Sequence, residues 1–153
     1  GIISPFNSWL FIRGLRTLEM RMKFIGENTP KVVSYLENHP KVERVHYLGL
    51  LKEDSADYQI YKRQYSSPGA MLSFDVRGGE KEAFKVLNNM KLIKLAVSLG
   101  STESLAQHPY TMTHADVPKV ERLARGLTDG MVRLSVGIED KQDIIHDLDQ
   151  ALE

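Results

Sequence analysis

Apolar residues along this 153-residue chain change their period several times, and each change predicts an element. In "DGMVRLSVGIED", residues 129–140, Val132, Leu134 and Val136 alternate with Met131, Arg133 and Ser135, the two-residue period of a strand. "AMLSFDV" has the same period, with Leu72, Phe74 and Val76 set against Met71, Ser73 and Asp75. "KVERVHYL" is a weaker strand pattern, in which Val42, Arg44 and His46 oppose Glu43, Val45 and Tyr47. "KLIKLAVSLG" predicts a short strand ending at Gly100, with Ser98 at its end. Elsewhere the period is helical. Leu15, Leu18, Met22 and Ile25 form one stripe, which Val32, Val33 and Leu36 continue. Ala83, Phe84, Leu87 and Met90 form a second stripe, and Ile144, Ile145, Leu148, Ala151 and Leu152 a third. "DYQIYKRQY" predicts a polar surface helix, and another helix follows Pro118.

Start and stop signals bound these elements. Ser4 and Pro5 suit an N-cap and first helical position, and a longer helix starts near Thr17, beyond Gly14. Thr29-Pro30 removes a backbone donor, so that helix is expected to kink or restart there, before Asn38-His39-Pro40 ends it. Gly78-Gly79 and Asp129-Gly130 are turns, and Asp140 caps the last helix with Asp143 near a capping-box position. "SLAQHPYTMTHADVP" reads as loop. The resulting order predicts an α+β fold: a small, mainly antiparallel sheet with helices on one face. Residues 1–40 form a long helical segment and residues 41–153 the α+β domain. No internal repeat, low-complexity tract or flexible linker is present.

Composition narrows the function. Basic and acidic residues balance at 20 each, so no overall field draws the chain to nucleic acid or anionic lipid. No apolar run reaches the ~18 residues of a membrane span. The chain has no cysteine, which excludes thiolate chemistry and disulfides and fits a cytoplasmic protein. It opens "GIISPFNSWLFIRGL", without an initiator methionine and already apolar, which reads as a cut within a longer protein.

Spacing alone reveals no catalytic machine. The five histidines form no metal-ligand pair, and Gly78-Gly79 matches no phosphate-binding loop. Arg133 is the anomaly, a permanent charge inside a strand. Either its face is wet and the charge is solvated, or the face lines a cleft and the guanidinium grips an anion. Ser98, just before a glycine-bearing turn, either bonds its own turn or adds a hydroxyl to such a carboxylate site.

Three ordered blocks, "SPFNSWLFIRGLRTLEMRM", "AVSLGSTESLAQHPYTMTH" and "DGMVRLSVGIED", resemble the Cys/Met metabolism (trans-sulfuration) family of pyridoxal-phosphate enzymes. The resemblance covers essentially the whole chain and is to the family's C-terminal portion, the smaller domain of a fold-type I enzyme. It implies that residues 1–40 link to an upstream domain. That domain holds pyridoxal phosphate on a lysine that lies outside this sequence, so the chain has neither catalytic nor cofactor-binding residues of its own. It also implies a homotetramer, a small amino-acid substrate, and a carbon–sulfur lyase or transferase.

Residue by residue, the resemblance gives Arg133 the substrate α-carboxylate and sets Ser98 and the Val97 backbone beside it. Glu103 matches an acidic position near the distal end of the substrate, and Met112 an apolar side-chain contact. As alternatives, Glu103 begins a short helix and Met112 fills core. The look is nearest to methionine γ-lyase and cystathionine γ-lyase, which perform γ-elimination. A cystathionine γ-synthase-type replacement enzyme is one alternative. A stand-alone amino-acid-binding or dimerisation module is the alternative from a different class.

Overall fold

A computed structural model describes residues 1–153. Two helices open the chain, α1 (Pro5–Leu15) and α2 (Leu18–Glu37). The rest runs β1 (Val42–His46), a 3-10 turn (Leu48–Leu50), α3 (Ala56–Gln64), β2 (Met71–Val76), α4 (Glu80–Asn89) and β3 (Lys94–Leu95). Then come β4 (Leu105–Gln107), α5 (Pro109–Met112), α6 (Lys119–Ala124), β5 (Met131–Ser135) and α7 (Lys141–Leu152). The strands form one sheet in the order β1-β2-β5-β4-β3, antiparallel except where β3 joins β4. The expected α+β architecture is therefore present.

The core lies on one face of the sheet. Val132 and Leu134 of β5, the following Val136, and Leu72, Phe74 and Val76 of β2 meet Val32, Val33 and Leu36 of α2. Ala83, Val86 and Leu87 of α4 and Ile144, Leu148 and Ala151 of α7 complete this layer. The caps follow the sequence signals: Ser4 accepts from the Asn7 amide at 3.2 Å and Asp140 from the Gln142 amide at 2.7 Å.

Four local expectations need correction. α2 runs through Pro30 as one helix. Pro30 is exposed, and Gly26, whose carbonyl loses its helical partner, is half-exposed, so water can satisfy it. In β1 the alternation shifts at a bulge between Val42 and Arg44. Val42 pairs with Val76 and Val45 with Phe74, so the two valines share the core face despite their odd spacing. The segment read as loop contains β4 and α5. Lastly, β3 stops at Leu95, so Ser98 lies beyond the strand.

The front of the chain is apolar and uncovered. α1 buries no residue, and Phe6, Trp9, Phe11, Ile12, Leu15, Leu18 and Met22 are all exposed. Of the stripe from Leu15 to Ile25, Ile25 alone is buried. No helix is long and apolar enough to cross a membrane.

Candidate functional site

The second face of the sheet carries polar residues in a single transverse row. His46 of β1 pairs with Ser73 of β2, Ser73 with Arg133 of β5, and Arg133 with Gln107 of β4. Register partners project from the same side of a sheet, so these four side chains lie along one line. Arg133 is half-buried in that row, while Met131 and Ser135 beside it are buried. Arg133 is therefore neither a fully solvated surface charge nor a fully buried one. Arg133 lines a cleft of about 440 Å³ together with Arg44, His46, Met71, Ser73 and Leu51.

Arg133 stands two strands from β3. It still reaches Ser98, because the chain after Leu95 folds back over β4. One terminal nitrogen, Nη2, donates to the Ser98 carbonyl at 2.9 Å. The contact is with the Ser98 backbone and not with its hydroxyl. No carboxylate lies within ion-pair distance of Arg133, since the two ion pairs present are His46–Asp75 and Arg125–Glu121. Burial lowers the Arg133 pKa from its ordinary value, though an arginine remains charged at neutral pH. A cation stripped of part of its water, with no acidic neighbour, is electrostatically suited to an anionic ligand.

Residues 98–104 are clamped at several points. Ser135, two positions beyond Arg133 on the same face, accepts the Gly100 amide on its hydroxyl at 3.2 Å. The Ile138 amide donates to the Thr102 carbonyl at 2.8 Å. Glu139 accepts from both the amide and the hydroxyl of Ser104, the latter at 2.9 Å. The Ser104 hydroxyl oxygen accepts in turn from the Gly137 amide at 2.9 Å. Gly137 has to be glycine here, because a Cβ would strike the Thr102 carbonyl oxygen and the Glu103 carbonyl carbon. Asn28 of α2 donates to the Glu139 carbonyl at 2.8 Å, tying the loop to the opening helices.

The other sequence candidates sit further out. Val97 and Ser98 are exposed on the clamped segment, and neither lines the Arg133 cleft. Glu103 is exposed and accepts from the Ser101 hydroxyl at 3.4 Å. Met112 is exposed at the end of α5, its sulfur accepting the His108 amide at 3.4 Å. The structure thus joins Ser98 to Arg133 and brings neither Glu103 nor Met112 against that pair. Ser135, Glu139, Ser104 and Gln107 escaped the sequence reading. The alternation that singled out Arg133 already placed Ser135 on its face, whereas the other three offered no periodic signal.

Beside the row, two residues beyond Ser73 on β2, Asp75 is buried and accepts from His46 Nε2 at 2.7 Å and from the Thr128 hydroxyl. Burial pushes the Asp75 pKa up, but the hydrogen bonds from His46 and Thr128 outweigh it, with help from the charges of His46 and Arg44. The folded pKa is consequently below the ordinary carboxylate value. A carboxylate of this kind stabilises the fold fully above its unfolded pKa of about 4, and the stability drains as pH falls through the lower, folded value. Melting temperature followed from about pH 5 to about pH 3 should fall less steeply for Asp75→Asn than for the parent. Equal acid slopes in the two proteins would contradict this account.

No lysine lines the Arg133 cleft, so that cleft offers no covalent anchor for a pyridoxal cofactor. The donor set around Arg133 suits a carboxylate instead.

Comparison with known proteins agrees with the resemblance. The model of the family described as Cys/Met metabolism PLP-dependent enzyme matches residues 1–153. L-methionine gamma-lyase of Fusobacterium nucleatum subsp. polymorphum is 50% identical over 153 residues, which is all of this chain and 38% of that protein. Cystathionine gamma-lyase of Bacillus subtilis (strain 168) is 44% identical over 153 residues, all of this chain and 40% of that protein. Among solved structures, cystathionine gamma-lyase from Lactobacillus plantarum complexed with L-serine matches with a TM-score of 0.87 and 38% identity. That match covers 98% of this chain and 39% of the other. The chain therefore spans about two-fifths of the length of these relatives. Matched from end to end by the family and sharing half its residues with one member, the chain belongs to the Cys/Met metabolism family of pyridoxal-phosphate-dependent enzymes.

Proposed function

We propose that this chain is the substrate-carboxylate half of a sulfur amino-acid lyase acting by γ-elimination on methionine or cystathionine. The observation that carries the reading is Arg133, half-buried in a cleft, without an acidic partner, and steered by the Ser98 carbonyl. A guanidinium offers five N–H donors in a rigid fork, so two can take a carboxylate while another stays on Ser98. Such a grip fixes the substrate against rotation and orients its Cα bonds toward the reacting group, which is the positioning share of catalysis. Ser98, through its carbonyl on Arg133, and the neighbouring Val97 backbone would border the carboxylate site, while Glu103 and Met112, which stand apart from that pair, would act on the substrate side chain.

The remaining machinery, including the cofactor and its lysine, belongs to an upstream domain of the same protein. Residues 1–40 link the two. The exposed apolar face of α1 and the front of α2 fits this arrangement, since soluble surfaces seldom leave so large a contiguous apolar area open. Subunit contacts of a homotetramer would cover the rest. Work in the cytoplasm is consistent with a cysteine-free chain.

The relatives named methionine and cystathionine gamma-lyase favour elimination over replacement. The full-length protein is expected to be yellow and to form α-keto acid from methionine or cystathionine. Calorimetric titration of the 153-residue chain alone with methionine is expected to show no binding, because half the pocket is absent. Saturable heat from the isolated chain would instead favour a stand-alone amino-acid-binding module.

A further inference from the structure

Two buried side-chain polar atoms in the whole chain lack a hydrogen-bond partner, and one of them is the Gln107 carbonyl oxygen Oε1. Gln107 is 1% exposed, so no bulk water reaches it. Its amide nitrogen donates to the Thr113 hydroxyl at 3.4 Å, a long bond, and the oxygen is left over. Buried acceptors of this sort are costly and rare, which makes the location informative. Gln107 is the register partner of Arg133 across β4 and β5. Cβ atoms of such partners stand about 5 Å apart, within reach of an arginine fork. Arg133 also spends one N–H on the Ser98 carbonyl and meets no acid. An unpaired acceptor thus sits on the strand next to a cation with unspent donors.

We propose that Gln107 is a positioning residue for the substrate-binding arginine. When a carboxylate takes two N–H groups of the fork, the Ser98 carbonyl and Gln107 Oε1 accept from those that remain. The guanidinium plane is then held at two points, and the substrate carboxylate with it. Gln107 touches no reacting atom and acts only through Arg133. This inference rests on the carboxylate role proposed for Arg133, and the experiment separates the two.

The test is a double-mutant cycle in the full-length protein, with Gln107→Met, which keeps volume and removes the acceptor, and Arg133→Lys, which keeps charge and removes the fork. Gln107→Met is expected to raise KM for the amino-acid substrate roughly ten- to a hundredfold, the worth of one hydrogen bond to a charged group, with kcat within about twofold. In the Arg133→Lys background the same substitution should change KM by less than about twofold, because the partner is gone. A Gln107→Met effect of full size in that background would overturn the proposal, since a merely structural role survives loss of the fork. So would an unchanged KM for Gln107→Met alongside a raised KM for Arg133→Lys. If Arg133→Lys itself leaves KM unchanged, the carboxylate reading fails and takes this one with it. Should Gln107→Met not fold, Gln107→Glu serves instead. Its carboxylate would occupy the fork and raise KM by at least about tenfold, and a KM within twofold of the parent overturns the proposal.

Discussion

Replacing Arg133 with alanine in the full-length enzyme is expected to lower kcat/KM about a thousandfold. A carboxylate gripped by two charge-assisted hydrogen bonds loses both, and truncating one partner of a buried charged pair costs about 3–5 kcal/mol. At about 1.4 kcal/mol per factor of ten, this is two to three and a half orders of magnitude. Arg133→Lys keeps the charge but loses the fork, so an intermediate loss of about thirtyfold is expected. The alanine variant also releases the Ser98 carbonyl from its only side-chain donor. Part of the loss therefore passes through the loop, which Ser135 and Glu139 still hold from the other end. Steady-state kinetics with methionine and cystathionine check the prediction. A value of kcat/KM within about threefold of the parent for Arg133→Ala would remove the carboxylate role altogether.

The geometry behind that prediction was legible in part from sequence, and where legibility stopped has physical causes. β2, β5 and α7 were readable because each carries an apolar stripe at its own period and the core takes up most of that stripe. β4 was not, because Leu105, Ala106 and Gln107 are all buried and leave no alternation to detect. That blind spot hid Gln107, the strand partner of the very arginine the sequence had singled out. The phase of β1 was lost to a single-residue bulge, which sequence periodicity cannot register. Leu15, Leu18 and Met22 showed a helical stripe correctly, but a stripe says which side wants burial and not what buries it. Within the site, the pairing of Arg133 with the Ser98 segment was legible. The atom that makes it, a backbone carbonyl, carries no sequence signature.

Loss of the Asp147 carboxylate is expected to be the costliest single change to the scaffold under that site. Asp147 lies on the inner side of α7 and is 4% exposed. Its oxygens accept from three successive backbone amides, Lys91 at 2.8 Å, Leu92 at 3.0 Å and Ile93 at 2.9 Å. Gln150 adds a fourth donor at 3.0 Å. These amides belong to the turn between α4 and β3, which begins the path to Ser98, and Ile93 is itself in the core. Asp147→Ala leaves three donors without their acceptor. With hydrogen bonds to a charged group worth about 1.5–3 kcal/mol each, and some rehydration of the freed amides, a loss of about 3 kcal/mol follows. Asp147→Asn should recover little, because its NH₂ must face at least one backbone N–H. Asp149 offers the contrast on the same helix, since its carboxylate accepts from the Tyr35 hydroxyl at 2.6 Å at the surface and Asp149→Ala should cost under about 1 kcal/mol. Native-state hydrogen exchange reads the difference locally in the full-length protein, without assuming two-state unfolding. Protection at Leu92 and Ile93 should fall about a hundredfold in Asp147→Ala and Asp147→Asn and stay within about threefold in Asp149→Ala. Unchanged protection at those two amides would mean that α7 does not hold this turn, and that the Ser98 segment takes its position from the Glu139 and Ser135 clamps alone.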